Sequence, residues 1–454
     1  MRVLLLSSNI TLSPYPVYPL GLAMVASGLK AAGHEVRQLD YLREGSSMQA
    51  IEASVLEFKP ELLGISIRNI DNVNYMNKQY YIDHVRDIVA RLRDFTDAKV
   101  ILGGAGFSLM PREILDFTGA DFGFVGESEA LVVEFAANAA RGVYPEDRLL
   151  YSTRSLTGLA IPSAAYDGHL MEFYLKSGNI ASVQSKRGCS SHCVYCTYPI
   201  LEGHAIRPRD VSAVADDMIL LRDRHDCKTV FFVDSVFNDE GGEYLNLVNE
   251  MIRRDTRVPW TGFFRPKGLS ADAVKLMKRA GLAAAEIGTD AATDVTLKRM
   301  GKNFTFADVV RTNDLFAAEG IPCSHFVMFG GPVETPDTVE EGIKNVLALK
   351  NSVVFVYMGI RIFPETPLAE VAMREGIITP ETDLLNPVYY LSPGVDAAWL
   401  EQKLTEAFKG VRHCIFPPDA IDSGLQVLHK LGHTGTLWDM MLHERKRKRT
   451  SAKP

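Results

Sequence analysis

Twice along this chain, short aliphatic and β-branched runs alternate with stretches of helical periodicity, and that alternation constrains the fold more than any other feature. Strands separated by helices pair in parallel with right-handed crossovers, so two successive α/β layers are expected. In the first third, Val3–Ser7, Val36–Leu39, Leu62–Ile67, Val100–Leu102 and Phe122–Val125 read as buried strands. The segments Leu20–Ala32, Met48–Phe58, Tyr81–Arg93 and Ala130–Arg141 read as the helices between them, with a short helix near Glu113–Asp116. Five such units predict a Rossmann-like doubly wound parallel sheet. Ligands on such sheets bind at the carboxyl ends of the strands, which here lead into Ser8–Pro19, Arg68–Asn74, Gly103–Ser108 and Gly126–Glu129.

The pattern lapses over 142–178, where Pro, Ser and Gly are frequent, and this stretch reads as a connector. The alternation then resumes with strands near Ile180–Lys186, Thr229–Val233, Trp260–Phe264, Ala283–Gly288, Cys323–Met328 and Val354–Ile362. Helices near Val211–Arg222, Tyr244–Arg254, Ala271–Ala280, Phe306–Ala318 and Val339–Leu349 separate them. Six units of this kind suit an open, partial (β/α)6 barrel of TIM type, whose active residues gather at the carboxyl ends of the strands. The expected organisation is therefore a first domain over 1–142, a linker over 143–178, a barrel over 179–383 and a mainly helical segment over 384–454. That last segment holds helices at Ala397–Phe408 and Ala420–Leu431 and a closing stretch, Gly435–Asp439, that plugs an open barrel or covers its mouth.

Chemistry is concentrated in Arg187-Gly188-Cys189-Ser190-Ser191-His192-Cys193-Val194-Tyr195-Cys196. Three thiolates from one loop can hold three corners of a cubane iron–sulfur cluster, and they leave one iron open to a small molecule. Zinc wants four ligands, usually as two separated pairs. His192, inside the three-residue gap, could join the flanking cysteines on one ion only with strain. Of the other thiols, Cys227 and Cys323 fall near the amino ends of their strands, as core residues would, and Cys414 lies in the last segment.

The cysteine spacing, with Tyr195 before the last cysteine, resembles the signature of the radical S-adenosylmethionine (SAM) superfamily. A five-unit sheet placed ahead of it resembles the cobalamin-dependent class of that superfamily. The first-domain segments Tyr18-Pro19-Leu20-Gly21, Ser66-Ile67-Arg68-Asn69, Leu102-Gly103-Gly104 and Val125-Gly126-Glu127-Ser128-Glu129 carry this second resemblance. It implies a [4Fe-4S] cluster on Cys189, Cys193 and Cys196, with SAM on the open iron. It also implies cobalamin contacts at Tyr18, Gly21, Ser66, Arg68, Asn69, Gly103, Gly104, Gly106, Gly126 and Glu127. For SAM it points to Tyr195, to Asp234 after the second barrel strand, and to Arg265 after the third. Asp290 with the following Leu297–Lys302 segment matches the ribose-contacting stretch, and Gly330 with Glu334 matches the stretch along the adenine. Arg361 closes the set on the sixth strand. The family's D-x-H-x-x-G motif is absent, and no histidine precedes His34, so cobalamin is expected base-off without a lower histidine. Asp167-Gly168-His169 imitates the motif only in part.

The implied activity is a cobalamin-dependent methyltransferase. A 5′-deoxyadenosyl radical would activate a substrate C–H bond, and methylcobalamin would deliver methyl to the carbon of a small metabolite. Cyclisation or rearrangement without methyl transfer is the alternative on the same two domains, and a non-catalytic cobalamin sensor is a remote third. An external flavodoxin- or ferredoxin-type donor is expected to supply electrons. The net charge of −7 argues against nucleic acid, and the basic run His443–Arg449 reads as a solvated tail. No signal peptide and no membrane span are expected, and six cysteines without a paired framework suit a reducing cytoplasm.

Overall fold

The computed structural model describes residues 1–12, 15–153 and 155–442; the basic run His443–Arg449 lies outside them. The first sheet runs β1 (Arg2–Ser7), β2 (Glu35–Asp40), β3 (Leu62–Ser66), β4 (Lys99–Gly103), β5 (Phe122–Val125) and β6 (Leu149–Tyr151). All its pairings are parallel, in the order β2-β1-β3-β4-β5-β6. Val3, Leu4 and Leu6 of β1 are fully buried because helices cover both faces of the sheet. The helix Pro111–Thr118 shows how sequence sets an end: Pro111 takes the first turn and Gly119, at φ +70°, closes the last.

The connector is more structured than its composition suggests. It supplies β6, which pairs Gly123 with Leu149, and a helix at Gly168–Leu175. Asp167 caps that helix by accepting from the His169 and Leu170 amides, so the Asp-Gly-His string is a helix start. A further short helix, Ala105–Leu109, occupies the glycine-rich strand end.

The second sheet begins with β7 (Ile180–Val183); a hairpin of β8 (Lys186–Arg187) and β9 (Arg207–Pro208) then carries the cysteine loop. Next come β10 (Thr229–Phe232), β11 (Trp260–Phe264), β12 (Ala285–Asp290), β13 (Cys323–Phe329) and β14 (Ser352–Met358). Gly359, at φ +69°, breaks the expected sixth strand, and β15 (Ile360–Arg361) turns away to pair antiparallel with β16 (Tyr389–Tyr390). The expected first barrel strand is likewise split into β7 and β8. Finally β17 (Cys414–Ile415) adds to β14, so the parallel order is β17-β14-β13-β12-β11-β10-β7 and Cys414 sits on an edge strand.

The last segment is therefore not purely helical. Leu400, Leu404 and Phe408 of the helix Ala397–Phe408 join the core around Phe329. Leu437 and Trp438 pack with Val353, Phe355 and Ile415, and the Trp438 indole donates to Glu286 Oε1 at 2.8 Å. The tail thus closes the barrel beside the start of β12. Cys227 and Cys323 are buried core thiols, as expected.

Candidate functional site

A cavity of about 620 Å³ lies between the two sheets. On one side Ser7, Ser66 and Gly103 end β1, β3 and β4, and Gly126 follows β5. On the other stand Ile180 and Ser182 of β7, Phe231 of β10 and Phe263 of β11. The carboxyl edge of the first sheet therefore faces the barrel across one chamber, where ligands on such sheets sit.

Nine of the ten residues expected to meet cobalamin line this chamber; Gly106 does not. Gly106 is packed instead, with its amide donating to Ile67 O at 2.9 Å and a Cβ there falling 3.1 Å from the Arg68 and Asn69 backbone. Gly104 has φ +102°, and a Cβ would lie 2.5 Å from Ile67 O, so only glycine fits. At Gly21 a Cβ would meet nothing within 4 Å. The Tyr18 hydroxyl accepts from the Asp167 amide at 3.1 Å, which fixes its ring at the rim. Arg68 has no hydrogen-bond or ion-pair partner among the described residues; it is exposed and lines the chamber, where Tyr15, Tyr81 and Tyr198 share its wall. Burial lowers the pKa of its guanidinium from the ordinary arginine value. Small residues that leave room, beside an unpaired cation and polar Ser66 and Asn69, fit a large flat ligand fringed with amides.

Glu127 faces the chamber but is not free. It accepts from Arg187 Nη1 at 2.9 Å, from Arg207 and from the Leu156 amide at 3.1 Å. Burial opposes its charge, yet the two guanidiniums hold its carboxyl below the usual value. Arg187 also bonds Glu129 and directly precedes Gly188-Cys189, so the end of β5 is tied to the cysteine loop through buried charge. This latch joins residues about 60 positions apart.

All three cysteines of the loop are free thiols; Cys189 is buried and Cys193 and Cys196 are half-buried. No three His, Cys, Asp or Glu side chains among the described residues converge as they would on a single metal ion; a cubane instead asks for thiolates at separate corners. Burial pushes the Cys196 thiol up to about 12 and raises Cys193. Such thiols hold an anionic form only beside positive charge, which a cluster supplies. The donor set fits the group.

None of the seven residues expected at SAM lines the chamber. Asp234 is buried in the wall, where it accepts from the Ser185 amide at 2.7 Å, the Lys186 amide at 3.2 Å and the Ser185 hydroxyl. Arg265 is paired with Glu240, although its Nε has no partner among the described residues. Glu334 accepts from the Gly330 amide, and burial raises it to about 7. Gly330 sits at φ +88°, in the left-handed region that favours glycine. Arg361 does not face the mouth: its Nε donates to Asp71 at 2.7 Å and its Nη2 to Leu384 O at 2.7 Å. These charges differ from the expectation for one reason: taken out of water at strand ends, each has recruited a protein partner. Tyr195 and Asp290 do meet at the cysteines, through Lys302, whose Nζ contacts Asp290, the Tyr195 hydroxyl at 3.1 Å and Cys193 Sγ at 3.0 Å. Tyr389, Tyr390 and Trp438 line none of the chamber.

A cofactor-binding sheet stacked on a partial barrel with a three-thiol loop defines a two-cofactor α/β enzyme. The family model for the B12 binding domain matches residues 8–136, and that for the radical SAM superfamily matches residues 183–346. The chain thus carries a B12 binding domain followed by a radical SAM domain, the pairing that the cobalamin-dependent class of radical SAM enzymes combines. It is 25% identical to tryptophan 2-C-methyltransferase of Streptomyces laurentii, over 78% of this chain and 72% of that protein. It is 23% identical to cytidylyl-2-hydroxyethylphosphonate methyltransferase of Streptomyces wedmorensis, over 92% and 91%. Among solved structures, the radical SAM methyltransferase TsrM of Kitasatospora setae, with cobalamin and a [4Fe-4S] cluster bound, superposes with a TM-score of 0.84 over 97% of both chains at 23% identity.

Proposed function

We propose that this chain is a cobalamin-dependent radical SAM methyltransferase that adds a methyl group to a carbon of a small metabolite. The observation that carries the reading is the single chamber joining the carboxyl edge of the first sheet to the barrel beside the cysteine loop. Cobalamin held in the chamber, with the cluster and SAM at the adjoining cysteine loop, would supply one-electron cleavage of SAM to a 5′-deoxyadenosyl radical and delivery of methyl through cobalt.

The chain's own residues set the stage for that chemistry. Gly21, Gly103 and Gly126 leave space for the corrin and Gly104 lets the strand end pack on Ile67, while Arg68, Ser66 and Asn69 present polar groups to its edge. Phe231, Phe263 and Tyr198 wall the chamber with apolar surface, which keeps water from a reactive carbon. We assign SAM to the barrel mouth beside Tyr195 and Asp290, with Asp234, Gly330 and Glu334 shaping the wall and loop behind it. The absence of histidine among the described residues lining the chamber supports a base-off cofactor. An external flavodoxin- or ferredoxin-type donor would supply the electron. The thiols outside the cysteine loop, Cys227, Cys323 and Cys414, are buried and unpaired, which accords with a reducing cytoplasm, and the acidic net charge accords with a partner other than nucleic acid. No helix among the described residues is long and apolar enough to cross a membrane.

The test is anaerobic reconstitution with iron, sulfide, cobalamin, reductant and SAM carrying a deuterated methyl group, offered tryptophan and other heteroaromatic metabolites. Labelled methyl on product carbon, lost in Cys193→Ala, supports the reading. Product formed without label would support cyclisation or rearrangement instead.

A further inference from the structure

Lys302 is a fully committed cation. Its ammonium carries three donors and meets three acceptors: Asp290, the Tyr195 hydroxyl at 3.1 Å and Cys193 Sγ at 3.0 Å. Its side chain is 7% exposed, so these contacts are shielded from water and salt. The Tyr195 ring, 5.2 Å away at its centroid, flanks the same charge.

The placement is fixed from both ends. Gly301, at φ +75°, presses against the cysteine loop so closely that a Cβ would lie 2.3 Å from His192 O. The Val194 amide donates to Met300 O at 3.1 Å, which locks the 300–302 turn to the loop. Asp290 adopts φ +64°, an uncommon conformation for a residue with a side chain, and grips the ammonium from the far side. The resulting dipole points its positive end at a cysteine sulfur.

We propose that Lys302 is a positioning residue that raises the reduction potential of the iron–sulfur cluster by donating a charged hydrogen bond to Cys193. A cluster passing from the 2+ to the 1+ state gains one electron from an external reductant. Positive charge and hydrogen bonds at its sulfurs stabilise the reduced form more than the oxidised one. Asp290 partly offsets that effect while aiming the ammonium. The inference rests on the cluster assignment made above and goes beyond it, since any three thiolates would hold the cluster without Lys302.

The test is a redox titration of the anaerobically reconstituted full chain with dithionite and mediators, following the EPR signal of the reduced cluster. Lys302→Met is expected to lower the midpoint by at least the 59 mV that marks a tenfold change in a one-electron equilibrium. Lys302→Arg should retain most of the native value, and Asp290→Asn should move the midpoint upward. Opposite signs for the two removals are what a mere loosening of the loop would not produce. Equal midpoints for Lys302→Met and wild type at equal iron content overturn the proposal, as does a fall in Asp290→Asn. If Lys302→Met takes up too little iron to titrate, Asp290→Asn decides alone: a rise supports the proposal, and an unchanged or lower midpoint overturns it. A wild-type chain that takes up no iron would instead overturn the cluster assignment.

Discussion

The strand ends of the two sheets face the same chamber yet use their residues in opposite ways. At the first sheet the edge is glycine, serine and an arginine without a partner among the described residues, and nearly every residue nominated there borders open space. At the barrel the nominated charges are consumed: Asp234 by Ser185 and Lys186, Arg265 by Glu240, Arg361 by Asp71. A surface of small residues recognises by shape and leaves room for a ligand. Charged side chains buried at strand ends act as struts that hold loops and domains in register. The strand-end rule thus locates the chamber without assigning the roles within it.

The contrast can be broken where it is sharpest. Gly104→Ala would place a methyl 2.5 Å from Ile67 O at a φ of +102°. More than about 3 kcal/mol of stability should be lost, with cobalamin no longer retained through gel filtration. Arg361→Leu strands Asp71, which is buried and paired across the two domains. About 3–5 kcal/mol should be lost in thermal melts, and Asp71→Leu in the same chain should recover much of it. Glu286, held by Ser324 and Trp438, is raised by burial from 4.5 to about 7. The folded chain therefore keeps that proton where the unfolded chain has released it. Its contribution to stability is full below pH 4.5 and declines as pH rises to 7. Glu286→Gln should melt higher than wild type above pH 7, by an amount on the order of 2 kcal/mol, with the advantage shrinking towards pH 5. Arg68→Ala should change the melting temperature least, because the guanidinium has no partner among the described residues. Cobalamin affinity should nevertheless fall about tenfold, the cost of one charge-assisted hydrogen bond.

Most elements were legible because long apolar runs and helical periods carry their own signal. Met48–Phe58, Phe122–Val125, Trp260–Phe264, Phe306–Ala318 and Ala397–Phe408 stand where the pattern placed them. What escaped was short or long-range. β6 and β17 have three and two residues, too few to show alternation, and each exists because a neighbouring strand offers an unpaired edge. The split at Gly359 is a backbone event that hydropathy does not record. Among site residues, Cys189, Cys193 and Cys196 announced themselves by spacing. The Arg187–Glu127 latch and the Arg361–Asp71 pair join residues 60 and 290 positions apart, and no local pattern predicts such a meeting. Lys302 carried a trace of signal as the last residue of the ribose-type segment, but its approach to Cys193 required the fold.

The central claim is that cobalamin in the chamber and SAM at the adjoining cysteine loop act on the same substrate. Mass spectrometry of the product from anaerobically reconstituted enzyme and methyl-deuterated SAM tests it most directly. The account predicts deuterated methyl on a substrate carbon only when iron and cobalamin are both loaded. Unlabelled product, or label transferred equally well by Cys193→Ala, would contradict it.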